Sequence, residues 1–329
     1  MRVPEVDVTP LVTRRGDERA VADTIDRACR DTGFFSIVGH GIGAGLRARL
    51  DVLAREFFAL DADEKTEIAM ARGGRAWRGW FPVGGELTSG SPDLKEGIYF
   101  GAELSPDDPS VRAGRPLHGP NLFPRRPAEL RETVLEYLDA MTALGHCVMT
   151  GVALALGLDR DWFQLELTAE PTILFRIFRY PPVAGEQATD GWGVGEHTDY
   201  GLLTMLGQDG TGGLQVRAST GWIDVPPDRD AFVCIIGDML ERMTRGYYKS
   251  TPHRVRNMSA QSRLSFPFFF DPGWDAEVKP IPVVAGHASA EAAERRWDGA
   301  NVHELSGTYG EYLLSKVAKV FPALGTEVL

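Results

Sequence analysis

Residues 197–208 have the sequence HTDYGLLTMLGQ, and this segment is the most informative one for the fold. Its apolar half belongs to a series of short β-rich runs that begins near Thr172. The series comprises ILFRIFRY, GLLTMLGQ, GGLQVRA, GWIDVPP, AFVCIIGD, HRVRNM and RLSFPFFF, separated by turns rich in Gly, Pro and Asp. Short strands at close spacing are typical of a sandwich, barrel or jelly roll rather than of alternating βαβ units.

Helical patterns precede the β-rich region. Apolar residues at helical spacing predict one helix from Asp17 to Arg30, a second over residues 46–57 and a long third one from Pro127 to Gly157. A strand is predicted at residues 34–38, between the first two helices. The uncharged stretch 140–158 approaches membrane length, but its His, Thr and Gly residues favour a buried helix over a membrane span.

We divide the chain into three predicted regions. Residues 1–165 form an N-terminal helical region, and within it the Gly-, Ser- and Pro-rich residues 72–95 form a long loop that faces the substrate. Residues 166–275 form the β-rich core, and residues 276–329 form a C-terminal helical extension that packs on the core, with its last clear helix at 310–320.

Charge and cysteine content narrow the range of partners. With 35 Lys and Arg against 46 Asp and Glu, the net charge is −11, which disfavours nucleic acid and anionic membranes as partners. The three cysteines (Cys29, Cys147 and Cys234) are far apart and form no CxxC pair, so a disulfide framework is not expected. Together with an N-terminus that lacks a secretory pattern, these features predict a cytoplasmic protein.

Three residues form a candidate metal centre. On a strand, His197 and Asp199 point to the same face, and His253 begins another β-rich run 54 residues after Asp199. Two imidazoles and one carboxylate leave coordination positions open, as in non-haem Fe(II) enzymes, whereas a structural zinc site closes its shell. The alternative is that His253 is a core histidine bonded to a backbone carbonyl.

An arginine and a serine follow the second histidine. Arg263 and Ser265 share one face of the next strand, where they offer a bidentate guanidinium and a hydroxyl to one carboxylate. Tyr180, at the end of ILFRIFRY, adds a phenol. A buried arginine beside a cation-binding face requires an anion, and a dicarboxylate that bridges the arginine and the metal satisfies both groups. The alternative is an exposed arginine at a strand edge.

The ordered motifs GFFSIVGHGI, RYPP, HTDYGLLTML, GGLQV, GDMLERMT, STPHRV and RLSFPFFFDP resemble the Fe(II)/2-oxoglutarate-dependent oxygenases of the isopenicillin N synthase-like group. This resemblance implies a mixed α and β fold with a double-stranded β-helix, or jelly roll, as its core, flanked by helices. It also implies the roles of six residues. The iron ligands are His197, Asp199 and His253, and the 2-oxoglutarate residues are Arg263, Ser265 and Tyr180.

The residues on the substrate side follow from strand parity and from a second resemblance. If Tyr180 points inward, so does Arg176, and if Arg263 does, so does Phe269. The segments GGELTSGSPDLKE and VRAGRPLHGPNLFP resemble bacterial ethylene-forming enzyme, which implies that four residues lie at arginine-binding positions: Glu86, Thr88, Arg176 and Tyr200. An ion pair inside the barrel is the alternative for Arg176. We expect Trp77 and Trp80 to form a lid or a hydrophobic anchor.

The resemblance implies a dioxygenase that uses Fe(II), 2-oxoglutarate and O2 to hydroxylate or otherwise oxidise a C–H bond of a small molecule, with release of succinate and CO2. The alternatives are an oxidative cyclase or desaturase that does not use 2-oxoglutarate, an ethylene-forming activity, and a jelly-roll ligand-binding module without turnover. The sequence does not identify the substrate, and it leaves the oligomeric state unknown.

Overall fold

The computed structural model describes residues 3–183, 191–281, 299, 301, 303 and 307–322. In this part of the chain, twelve strands form an eight-stranded and a four-stranded sheet. The larger sheet has the order β1-β2-β10-β7-β12-β5-β4-β3. Its strands are β1 (Glu5–Asp7), β2 (Phe34–Val38), β3 (Gly79–Phe81), β4 (Glu96–Gly101), β5 (Thr172–Tyr180), β7 (Leu203–Gln208), β10 (Phe232–Ile236) and β12 (Arg263–Asp271).

The smaller sheet has the order β6-β11-β8-β9. Its strands are β6 (Val194–His197), β8 (Leu214–Ala218), β9 (Gly221–Asp224) and β11 (His253–Val255). All strand pairs in both sheets are antiparallel except β1 with β2. Inward-facing residues of both sheets line one cavity, and this arrangement is the jelly-roll core that the sequence predicts.

Helices pack around the sheets. The α-helices are α1 (Thr9–Thr13), α2 (Glu18–Asp31), α3 (Ala44–Phe58), α4 (Ala62–Thr66), α5 (Pro109–Arg112), α6 (Leu130–Ala155), α7 (Trp162–Glu166), α8 (Asp238–Met243) and α9 (Tyr309–Val320). Two 3-10 turns span Met70–Ala76 and Thr88–Gly90. Helix α2 begins where sequence pattern and capping agree, since the Asp17 carboxylate accepts the Ala20 N–H.

Helix α6 supports the larger sheet. It is long and apolar enough to cross a membrane by length and composition, but it packs against α2, α3 and β12 with a buried apolar face. A side chain at Gly145 would place a Cβ 2.5 Å from the Phe270 ring, so glycine allows the helix to approach β12 closely. The helix is therefore part of the hydrophobic core, as the sequence predicts.

The loop 72–95 contains more structure than expected. It includes β3 and the turn Thr88–Gly90, and both of its tryptophans are buried. Trp77 packs edge-on against Phe321, and the Trp80 indole donates a 2.9 Å hydrogen bond to Glu96. Neither tryptophan lines the cavity, so the lid prediction is wrong and the hydrophobic-anchor alternative is correct.

One hydrophobic core includes residues from all three predicted regions, among them Leu50, Phe268 and Leu313. The region boundaries at 165 and 275 therefore stay predictions. The last predicted helix is present as α9, whereas residues 282–298 of the predicted C-terminal extension lie outside the described residues.

Candidate metal centre and substrate cavity

Three predicted metal ligands meet at one end of the cavity. Strand β6 ends at His197, Asp199 follows it by two residues, and His253 lies directly opposite His197 in the β6–β11 pair. The Nε2 atoms of His197 and His253 lie 3.9 and 3.8 Å from Asp199 Oδ1. One ligand atom from each residue lies within 4.8 Å of the other two, a spacing that a single metal ion can bridge.

Hydrogen bonds orient both imidazoles toward the same point. His197 Nδ1 lies 2.8 Å from the Gly195 carbonyl, and His253 Nδ1 lies 3.2 Å from the Thr251 carbonyl. A carbonyl only accepts, so each Nδ1 carries the proton and each Nε2 presents a lone pair. The core-histidine alternative for His253 accounts for its Nδ1 contact but not for its Nε2, which faces Asp199.

The electrostatics of this group suit a cation. Burial and the neighbouring His253 lower the pKa of His197 to about 3, so the imidazole is neutral near pH 7, as a metal ligand must be. Asp199 is almost fully buried, and its Oδ2 has no hydrogen-bond partner among the described residues. A buried carboxylate with an unsatisfied oxygen beside two lone pairs is suited to hold a divalent ion.

A second charged group lies on the larger sheet. Arg263 is fully buried, and its Nε donates a 2.5 Å hydrogen bond to the Gly212 carbonyl. Its Nη1 and Nη2 atoms have no partner among the described residues. Burial of an unpaired guanidinium costs free energy. These two nitrogen atoms are therefore suited to bind an anionic group of a ligand. Full burial excludes the exposed-edge alternative.

Two hydroxyls accompany the arginine. Tyr180 lies opposite Arg263 in the β5–β12 pair, and its ring lies 4.7 Å from the guanidinium carbon. The Tyr180 and Ser265 hydroxyls are 3.3 Å apart, and both residues line the cavity. The structure therefore brings together the guanidinium, the phenol and the hydroxyl that the sequence selects as a carboxylate site.

Arg176 forms a further cationic group in the cavity. Its guanidinium carbon lies 4.1 Å from the Tyr99 ring centroid and 4.7 Å from that of Phe269, so two aromatic rings hold it. Its Nη1 lies 3.6 Å from Glu86 Oε1, and its Nε has no partner among the described residues. The internal ion pair that the sequence offered as an alternative is thus present but long, and it does not satisfy the buried Nε of Arg176.

The loop residues form a buried ion cluster next to Arg176. Glu86 accepts a hydrogen bond from the Tyr99 hydroxyl and lies 2.8 Å from Lys95 Nζ. Lys95 also binds Asp93, which accepts a 2.7 Å hydrogen bond from Thr88. Burial alone would raise the pKa of Glu86, but Lys95 and Arg176 outweigh burial and lower it, so the carboxylate is charged.

All eleven residues selected from the sequence lie in or beside this cavity. Ten of them line it, and Arg263 contacts Tyr180 in its wall. Sequence reasoning missed Lys95, Asp271, Tyr309 and Leu313, which also line the cavity. For Lys95, the sequence offered one signal: the run DLKE at 93–96 places charges of both signs in a loop otherwise rich in Gly and Pro.

Comparison with known proteins places these residues in a family context. The N-terminal part, residues 3–126, matches the model of the non-haem dioxygenase N-terminal region named for morphine synthesis. Residues 171–272, which contain the metal residues and Arg263, match the model of the 2OG-Fe(II) oxygenase superfamily. A full-length Neurospora crassa protein, solved in complex with alpha-KG (2-oxoglutarate), is 27% identical, with a TM-score of 0.78 and 96% of each chain covered.

Curated relatives match over the full length. A Dictyostelium discoideum protein named probable iron/ascorbate oxidoreductase is 45% identical and covers 100% of this chain and 97% of its own. The 1-aminocyclopropane-1-carboxylate oxidase of Dictyostelium mucoroides is 34% identical, covering 98% and 95%. A homoarginine-6-hydroxylase of Arabidopsis thaliana is 34% identical and covers 97% of both chains.

Proposed function

The chain belongs to the 2OG-Fe(II) oxygenase superfamily, and from this premise we propose that it hydroxylates a small α-amino acid at a C–H bond. As a member of this family it is an oxidoreductase that uses Fe(II) and 2-oxoglutarate. The observation that carries the proposed substrate class is the clamped guanidinium of Arg176, whose Nε lacks a partner among the described residues of the cavity.

We assign the iron to His197, Asp199 and His253, which the geometry and the donor set support. We assign the distal carboxylate of 2-oxoglutarate to the unpartnered Nη1 and Nη2 of Arg263, with Ser265 and Tyr180 as hydroxyl partners. Bound iron and 2-oxoglutarate supply the oxidative chemistry, in which dioxygen is consumed and succinate and CO2 are released. The chain orients the reactants and excludes water from the site.

The substrate carboxylate is assigned to Arg176. Two curated relatives are named for α-amino acids, homoarginine and 1-aminocyclopropane-1-carboxylate, and both ligands carry a carboxylate. The rings of Tyr99 and Phe269 hold the guanidinium fixed, so little entropy is lost when it binds an anion. A neutral base such as thymine, with which the Neurospora crassa protein was also solved, would offer this N–H a carbonyl oxygen but no negative charge, and bonds from a cationic donor to an anion are the stronger ones.

We also propose that the protein is cytoplasmic, because its three cysteines are free thiols and a reducing compartment keeps thiols reduced.

An oxidase that does not use 2-oxoglutarate is the second candidate, because one relative at 34% identity is named 1-aminocyclopropane-1-carboxylate oxidase. In that case Arg263 would bind a carboxylate other than that of 2-oxoglutarate. The two candidates differ in stoichiometry, since only the 2-oxoglutarate-dependent reaction forms one succinate for each molecule of product.

The test is a turnover assay with Fe(II), 2-oxoglutarate and one amino acid at a time: L-homoarginine, L-arginine or 1-aminocyclopropane-1-carboxylate. We expect one of them to stimulate succinate release and to gain one oxygen atom by mass spectrometry. L-Argininamide, which lacks the carboxylate of L-arginine, serves as the matched control ligand, and Arg176→Gln as the matched variant. Product without succinate would support the oxidase, and no response to any amino acid would refute the proposed substrate class.

A further inference from the structure

Four charged side chains form one cluster at the cavity: Glu86, Lys95 and Arg176 line its wall, and Asp93 pairs with Lys95. We propose that Lys95 is a positioning residue that keeps the Arg176 guanidinium available to the substrate by satisfying both nearby carboxylates. Lys95 then acts through Glu86 and Arg176 and not by contact with the reacting atoms. The inference rests on the proposed function only for the identity of the carboxylate that Arg176 binds.

Lys95 lies between two carboxylates. Its Nζ is 2.8 Å from Glu86 Oε2 and also pairs with Asp93 Oδ2, while its side chain is only 1% exposed. Burial alone would lower the pKa of Lys95, but the two carboxylates outweigh burial and raise it, so the ammonium stays charged. The ring of Phe178 lies 4.7 Å from Nζ and covers the remaining side of the ammonium.

Glu86 is close to Arg176 but does not bind it tightly. The shortest separation between the two side chains is 3.6 Å, whereas a direct bond between a guanidinium and a carboxylate spans about 2.7–2.9 Å. Glu86 Oε1 already accepts a hydrogen bond from the Tyr99 hydroxyl, and Glu86 Oε2 forms a 2.8 Å ion pair with Lys95 but has no hydrogen-bond partner among the described residues. Glu86 therefore leaves Arg176 without a short ion pair, and Arg176 Nε has no partner among the described residues.

The charges of the cluster balance only when Lys95 is present. Two carboxylates then face two cations, and Lys95 takes the short contact with each carboxylate. Without Lys95, two buried carboxylates would compete for one guanidinium, and Glu86 is the nearer. Because buried charges strongly favour pairing, Arg176 would close onto Glu86, and a substrate carboxylate would meet a neutralised guanidinium.

Replacing Lys95 with and without loss of its charge tests this role. Lys95→Met keeps an unbranched chain without the charge, and we expect it to raise the KM for L-homoarginine at least tenfold with kcat changed less than threefold. Lys95→Arg keeps a cation beside both carboxylates and should recover most of this loss, with a KM at least threefold below that of Lys95→Met. The KM for 2-oxoglutarate should stay within twofold throughout, because the Arg263 site is separate. A Lys95→Met variant whose kcat falls while its KM for L-homoarginine is unchanged would overturn the proposal.

A second measurement does not depend on the substrate. In a crystal structure of Lys95→Met without amino acid, the separation of Arg176 Nη1 and Glu86 Oε1 should shorten from 3.6 Å to about 2.8 Å. A separation that stays at 3.6 Å would overturn the role of Lys95 whatever the substrate is. A shortened separation in a protein that turns over no amino acid would support that role and refute the proposed function alone.

Discussion

Replacement of Arg263 by methionine should abolish tight binding of 2-oxoglutarate and leave the metal centre intact. Methionine fills much of the buried volume but carries no N–H group. In the wild type, Nη1 and Nη2 have no protein partner among the described residues, so a bound carboxylate would receive two charge-assisted hydrogen bonds there. Such bonds contribute about 1.5–3 kcal/mol each. A combined loss of about 3–6 kcal/mol corresponds to a ~10²–10⁴-fold weaker Kd.

The assay is anaerobic calorimetric titration of 2-oxoglutarate into protein loaded with Fe(II). Arg263→Lys is the matched control, because lysine keeps the charge but not the planar fork, and we expect it to lose about tenfold. Iron affinity should be unchanged in both variants, since His197, Asp199 and His253 are on other strands or loops. Thermal unfolding gives an independent readout, because 2-oxoglutarate should raise the Tm of the wild type but not of Arg263→Met.

One result would refute this reasoning. If Arg263→Met binds 2-oxoglutarate within threefold of the wild type, the distal carboxylate lies elsewhere, and Arg176 is the other cavity guanidinium with an unpartnered N–H among the described residues. The assignments of cosubstrate and substrate would then have to be exchanged. Titration of Arg176→Gln under the same conditions distinguishes that exchange from an unrelated anion site.

Three further predictions follow from buried groups. His253→Ala should weaken Fe(II) binding more than ~100-fold in anaerobic equilibrium dialysis, and unchanged affinity would remove it from the metal centre. Burial raises the pKa of Asp271 to about 7. In the unfolded chain this carboxyl ionises near its ordinary pKa of 3.8, so the metal-free folded protein should lose stability as the pH rises from 4 to 7. Asp271→Asn should remove this decrease of about 3 kcal/mol in urea unfolding, and parallel pH profiles of the two proteins would contradict it. Trp80→Phe removes the indole N–H that donates a 2.9 Å hydrogen bond to Glu96, and it should lower the free energy of unfolding by ~1–2 kcal/mol with an unchanged urea m-value. An unchanged urea midpoint would contradict this prediction.

The candidate metal centre could be predicted from the sequence because the β6–β11 pair brings its two histidines together, although Asp199 lies two residues beyond the end of β6 and not on the strand as expected. Antiparallel pairing sets His253 directly opposite His197, and Asp199, just after the strand, keeps its carboxylate on the same side as the His197 imidazole. Strand alternation placed Arg176 with Tyr180 on β5, and Ser265 with Phe269 on β12, toward one cavity. Each of these inferences needed only a period of two and a strand boundary.

The buried ion cluster could not be predicted in this way, because a loop creates it. Residues 82–95 fold back on themselves through hydrogen bonds from Gly84 N–H to the Asp93 carbonyl and from Asp93 N–H to the Glu86 carbonyl. No periodic pattern in the sequence predicts that the loop folds back on itself. Composition indicated a loop with aromatic residues but gave no reason to bury its charges, and the lid prediction for Trp77 and Trp80 failed for the same reason.

The C-terminal helix shows a third limit. Apolar periodicity predicts α9 but does not tell which surface its buried face covers. In the structure, the Tyr309 hydroxyl donates a 2.6 Å hydrogen bond to Asp271, and Leu313 completes the cavity wall. The backbone N–H of Leu87 also donates to the Val320 carbonyl, so α9 contacts the loop that carries Glu86 and Lys95. Helix α9 contacts both the strand end at Asp271 and this loop. A substitution that shifts the helix should therefore affect binding at Arg176 more than binding at Arg263. The proposed substrate site thus depends on loop and helix contacts that lie outside the strand pattern, whereas the proposed metal and cosubstrate residues lie on strands except for Asp199, which directly follows one.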